Sequence, residues 1–81
     1  MSTVNSEFST ALAAVIKKHR LAKGLSQNQL SKLSGVSQTY VGEVERCMYS
    51  PTVDVAFALA TALEIPFSKL VAEAEKLKKQ S

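Results

Sequence analysis

Reactive side chains are scarce in this chain. Its single histidine, His19, and single cysteine, Cys47, cannot assemble a nucleophile with its base, an internal disulfide or a cluster of metal ligands, and no pair of carboxylates is placed for acid–base work. No enzyme is expected, and no cofactor or metal. The side chains with something to offer are uncharged and polar, and they crowd into Leu25 to Arg46, LSQNQLSKLSGVSQTYVGEVER, where Gln27, Gln38 and Thr39 stand at outward positions. A carboxamide carries a donor beside an acceptor, and threonine a hydroxyl beside a methyl. Their chemistry is hydrogen bonding to another molecule. Four of the ten basic side chains, Lys17, Lys18, Arg20 and Lys23, lie just before this stretch in a chain of net charge +3. Such a cluster is either a solvated helix face or a patch facing phosphates.

The elements that must position these residues are helices. At 81 residues the chain is one domain, 1–81, and its 46% hydrophobic and 21% charged content suits a packed core. The charge-free stretch before the basic cluster, Phe8 to Ile16, falls short of the roughly 20 residues that cross a bilayer. The leading MSTVNSEFS lacks the cationic start and apolar centre of a secretory signal. A cytoplasmic protein without a membrane partner is therefore expected. No run alternates with period two, so the fold class is all-α, a compact five-helix domain.

The first helix starts near Ser6 or Ser9, carries the stripe Phe8, Leu12, Val15 and Ile16, and stops at a left-handed Gly24. Ser26 and Gln29 form an S-x-x-Q capping box for a second helix, with Leu30 and Leu33 inward and Gly35 at its end. Val36 fills the turn, and Ser37 caps a third helix that runs to about Arg46 with Val41 and Val44 inward. Pro51 and Thr52 open a fourth, with Val53, Ala56, Leu59, Ala60 and Leu63 inward, ended by Glu64 to Pro66. Phe67, Leu70, Val71, Ala74 and Leu77 mark a fifth over about 67–79, before the polar tail Lys78 to Ser81.

The second and third helices are too short to persist alone in water. Two short helices joined by a tight glycine turn make the helix-turn-helix, whose second helix points its N-terminal side chains into the major groove of DNA. The residues Arg20, GLSQNQLSKLSGVS, TYVGEVER and SPTVDVAFALATALEIP stand in an order and spacing that resembles the Xre-like helix-turn-helix family, the DNA-binding domains of phage repressors and Cro proteins. The likeness covers about Val15 to Leu70. In size and in TYVGEVER the chain is also similar to the controller proteins of restriction-modification systems within that family.

The resemblance implies that Ser37 to Arg46 is the recognition helix. Ser37, Gln38 and Thr39 in its first turn are then candidates for base contacts: a glutamine amide pairs with adenine N6 and N7, and threonine offers a methyl for thymine. Gln27 is implied to touch a phosphate and to support Gln38, helped by the amide groups of its helix start. Tyr40, Lys17, Lys18, Lys23 and Ser50 are further candidates for the DNA backbone, with Lys32 and Arg46 as alternatives. Of Lys17 and Lys18, about 100° apart on a helix, one is expected to point away. Arg20 and Glu45 border the apolar stripes of packed helices, and the resemblance implies an ion pair between them. Cys47 replaces the glycine usual in the family after the recognition helix, where a left-handed residue would be costlier. Its thiol is read as a packing residue before it is read as a redox switch.

One recognition helix spans too few base pairs for specific binding, so a homodimer on a pseudo-palindromic site in double-stranded DNA is expected. The apolar stripe of the fifth helix, Phe67, Leu70, Val71 and Ala74, is the expected dimer interface. The alternative is an antitoxin-like helical module whose partner is a protein.

Overall fold

The computed structural model describes residues 6–80, with side chains over 7–78. Residues 1–5 of the leading stretch and Ser81 of the polar tail lie outside the described residues. Five helices follow one another: α1 Ser6–Ala22, α2 Gln27–Ser34, α3 Gln38–Glu45, α4 Val53–Ala62 and α5 Phe67–Gln80. No strand occurs among the described residues. The helices enclose a single core to which each contributes, with Ile16, Leu30, Val41, Val44, Leu59, Leu63 and Leu70 sealed from solvent. Each such aliphatic side chain adds roughly 1.5 to 3 kcal/mol through burial.

Local chemistry sets the ends of the helices. Ser26 accepts from Gln29 N–H, and the Gln29 side chain accepts in return from Ser26 N–H at 2.8 Å, the reciprocal box that the sequence predicts. Thr52 caps α4 by accepting from Val55 N–H. At the other ends, α1 closes through Gly24 (φ +71°), with Leu25 N–H donating back to Arg20 O at 3.1 Å. The same closure recurs after α3 and α4 on residues that are not glycine. Cys47 (φ +63°) follows α3, and Met48 N–H donates to Glu43 O; Glu64 (φ +64°) follows α4, and Ile65 N–H donates to Ala60 O. The loop after α3 thus takes the left-handed path despite its cysteine.

Two inward assignments and one interface assignment change. Leu33 is 61% and Val53 71% exposed. An eight-residue helix needs one anchor, and Leu30 with Val36 from the turn already fills the space under α2; Val53 stands at the first position of α4, outside the core. The third correction is larger. Leu70 and Ala74 are 0% exposed within the single chain, because α5 lies along α1 and spends its stripe on the domain's own core. They cannot form a dimer interface. Phe67 and Val71 are half-buried.

Polar contacts tie the frame at its edges. His19 Nε2 on α1 lies 2.8 Å from Glu73 Oε1 on α5, and Lys23 Nζ lies 2.6 Å from Glu64 Oε1 beyond α4. The His19 hydrogen bond holds the Glu73 carboxyl below its ordinary pKa, as Lys23 does for the exposed Glu64.

Candidate nucleic-acid interface

The turn between α2 and α3 is built to aim α3. Gly35 takes φ +78°, Val36 drops into the core, and its amide and carbonyl are held by the Ser34 and Ser31 hydroxyls. Ser37 then caps α3 by accepting from Tyr40 N–H at 3.1 Å. Because Val41 and Val44 are buried, the first turn of α3 presents exposed Gln38 and Thr39 on the open side. Gly42 lies between them and the helix end. A Cβ there would approach Gln27 Oε1 to 3.2 Å and Arg46 Nη1 to 3.3 Å, so its bare backbone lets Gln27 lie across α3. Gln27, Gln38, Thr39, Gly42 and Arg46 line one shallow, open cleft.

An ion pair underlies this face. Arg20 Nε and Nη2 donate to Glu45 Oε2 and Oε1 at 2.7 and 2.9 Å, and Nη1 donates to Leu25 O at 2.7 Å. Gln27 Nε2 adds a third bond to Glu45 Oε1 at 3.0 Å. Both charged side chains are buried, and the hydrogen bond to Glu45 raises the Arg20 pKa above its ordinary value despite that burial. One carboxylate therefore fixes three elements, α1, the start of α2 and the end of α3. No buried side-chain nitrogen or oxygen among the described residues lacks a partner.

Several sequence candidates meet here and others do not. Gln38 and Thr39 share the cleft, and the Ser37 hydroxyl is engaged in the cap. Gln27 reaches Glu45 rather than Gln38; the residue that holds Gln38 is Asn28, whose Nδ2 donates to Gln38 Oε1 at 2.8 Å. Tyr40 is half-buried and packs edge-on against Tyr49, ring centroids 6.3 Å apart. Ser50 Oγ pairs with Ser9 Oγ at 2.7 Å, tying the loop to α1. Lys18 does not belong to this face. It lies about 160° around α1 from Arg20, in the groove between α1 and α5 with Glu73 and Lys76. Lys17, only about 60° from Arg20, is the one of the two on the side of α3. Asn28 and Gly42 were not among the sequence candidates; both act through α2 and α3 lying side by side, which spacing alone does not encode.

A capped pair of short helices, the second offering an open polar turn above a buried ion pair, defines a repressor-like DNA-reading domain. A model of the helix-turn-helix family HTH_3 matches residues 16–70, and the chain belongs to that family, whose members are DNA-binding transcriptional regulators and not enzymes. It is 38% identical over 60 residues to the control protein C.SmaI of Serratia marcescens, covering 74% of this chain and 71% of that protein. It is 37% identical over 60 residues to the HTH-type transcriptional regulator SutR of Escherichia coli K12, covering 74% of this chain but spanning only 34% of SutR. Among solved structures, the restriction-modification controller protein C.AhdI of Aeromonas hydrophila superposes with a TM-score of 0.73 at 39% identity, covering 76% of this chain and 94% of that one.

Proposed function

We propose that this chain acts in the cytoplasm as a transcriptional regulator that binds duplex DNA as a homodimer on a pseudo-palindromic operator, with α3 in the major groove. The observation that carries the reading is the open first turn of α3, where exposed Gln38 and Thr39 share a cleft with Gln27 and Arg46 over a saturated ion pair. Gln38 and Thr39 meet base edges; Gln27, Lys17 and Arg46 face the backbone, with Tyr40 and Ser50 at its margin. The likeness to a control protein and to a restriction-modification controller supports a regulatory role.

Two copies pair, in this reading, through the corner of α4 and α5 rather than through Leu70 and Ala74. Val53 and Phe57, one turn apart on α4, are exposed, and the Phe57 ring meets Phe67 of α5 edge-on at 6.0 Å. Covering that apolar corner with its own copy removes it from water and carries two α3 helices as a symmetric pair. Selection of bound sequences from random duplex DNA tests the whole reading. The expected result is a palindromic consensus whose affinity falls steeply between about 50 and 200 mM salt, by a log–log slope of about 0.9 per phosphate contact. An absent consensus with salt-indifferent binding would refute it.

A further inference from the structure

We infer that Asn28 is a positioning residue for base reading, tethering the Gln38 side chain at the open first turn of α3. The inference rests on α3 being the reading helix. Gln38 is exposed, and an exposed glutamine without a partner ranges over many rotamers. A bidentate contact with adenine N7 and N6 needs its carboxamide in one place and one plane. Here Asn28 Nδ2 donates to Gln38 Oε1 at 2.8 Å, which tethers that carboxamide to α2. An amide oxygen has two lone pairs, so this bond leaves one acceptor site beside the Nε2 donors for the groove. The neighbouring Gln27 turns its Nε2 to Glu45 instead. Asn28 is itself exposed at the second position of α2, with no apolar packing to serve, so its contact with Gln38 is what its side chain contributes.

The test is a double-mutant cycle on the selected operator. Wild type, Asn28→Ala, Gln38→Ala and the double variant are each measured on the preferred site, on a site changed at the base that Gln38→Ala identifies, and on random duplex. Asn28→Ala is expected to reduce discrimination at that base by roughly three- to tenfold, the worth of one hydrogen bond. It should leave random-duplex affinity and the salt slope unchanged and have no effect once Gln38 is alanine. Asn28→Leu, which keeps the size but makes no hydrogen bond, should lose the same discrimination as a ratio between the two sites. Uniform weakening on every sequence with a shallower salt slope would make Asn28 a backbone contact and overturn the inference, as would unchanged discrimination in Asn28→Ala. If Gln38→Ala alone leaves all base preferences intact, the base-reading role of Gln38 fails, and that failure is visible without Asn28.

Discussion

Arg20 and Glu45 are the residues on which the reading surface depends most, although neither belongs to it. Glu45 receives three hydrogen bonds from two side chains, and removing Arg20 takes away two of them along with the cation paired to it. Breaking a buried pair by deleting one partner costs about 3 to 5 kcal/mol. For a domain of this size that approaches the whole stability, roughly 0.05 to 0.15 kcal/mol per residue. Arg20→Ala should therefore melt far below the parent or be unfolded at 37 °C, as followed by helical circular dichroism, while the double change Arg20→Met with Glu45→Leu should recover much of the loss. A parent-like melt for Arg20→Ala would show that water or Gln27 satisfies the carboxylate. Both residues were readable from their places at the border of apolar stripes, because a half-buried charge demands an opposite one. Asn28 was not: a contact between short polar side chains on two helices depends on how closely the helices cross, which neither helix encodes alone.

At the scale of elements, the caps on Ser26, Ser37 and Thr52 and the stops at Gly24 and Gly35 were legible because each is a local bargain between a side chain and the nearest free backbone groups. The ends at Cys47 and Glu64 carry no such mark, since a left-handed residue that is not glycine is chosen by the surroundings. That choice has a cost at Cys47, roughly 1 to 2 kcal/mol for a left-handed L-residue, less what glycine loses in chain entropy. Cys47→Gly should stabilise the domain by about 0.5 to 1 kcal/mol, a rise of roughly 2 to 8 °C in midpoint. A lower midpoint would mean that the exposed side chain makes compensating contacts. The apolar stripes told a different half-truth. Periodicity says that a face is buried but not by what, so the α5 stripe read as an interface is in fact the wall of the core, and Leu33 and Val53, counted inward, face out.

The lock between α1 and α5 sets the acid limit. Glu73, held below its ordinary pKa of 4.5 chiefly by the His19 hydrogen bond, contributes stability that is complete above that value and is lost as pH falls through the lower folded one. Urea midpoints should hold from about pH 6 to about pH 5 and fall below about pH 4.5, and Glu73→Gln should flatten that fall. An equally steep fall in the variant would place the acid sensitivity elsewhere.

The whole molecule, 32 × 24 × 19 Å, is small enough that its outer residues decide how copies meet. Phe57 is 55% exposed and contributes to no sealed core position, so Phe57→Glu should retain helical content while sedimentation shifts from two chains to one and cooperative operator binding is lost. Half-sites in the wild-type footprint should lie about 34 to 36 Å apart. Wild type sedimenting as a monomer while protecting a single half-site would rule out pairing at this corner. The pairing of α1 with α5 reaches beyond stability. The two helices of this domain furthest apart along the chain, α1 and α5, pack on each other, and Val15 and Ile16 share one core cluster with Leu70 and Ala74. Until the final helix emerges, the nascent chain lacks one wall, and its other helices have no closed interior to fold around. The domain therefore folds only once α5 has been made, and its four earlier helices stay exposed to proteases and chaperones until then.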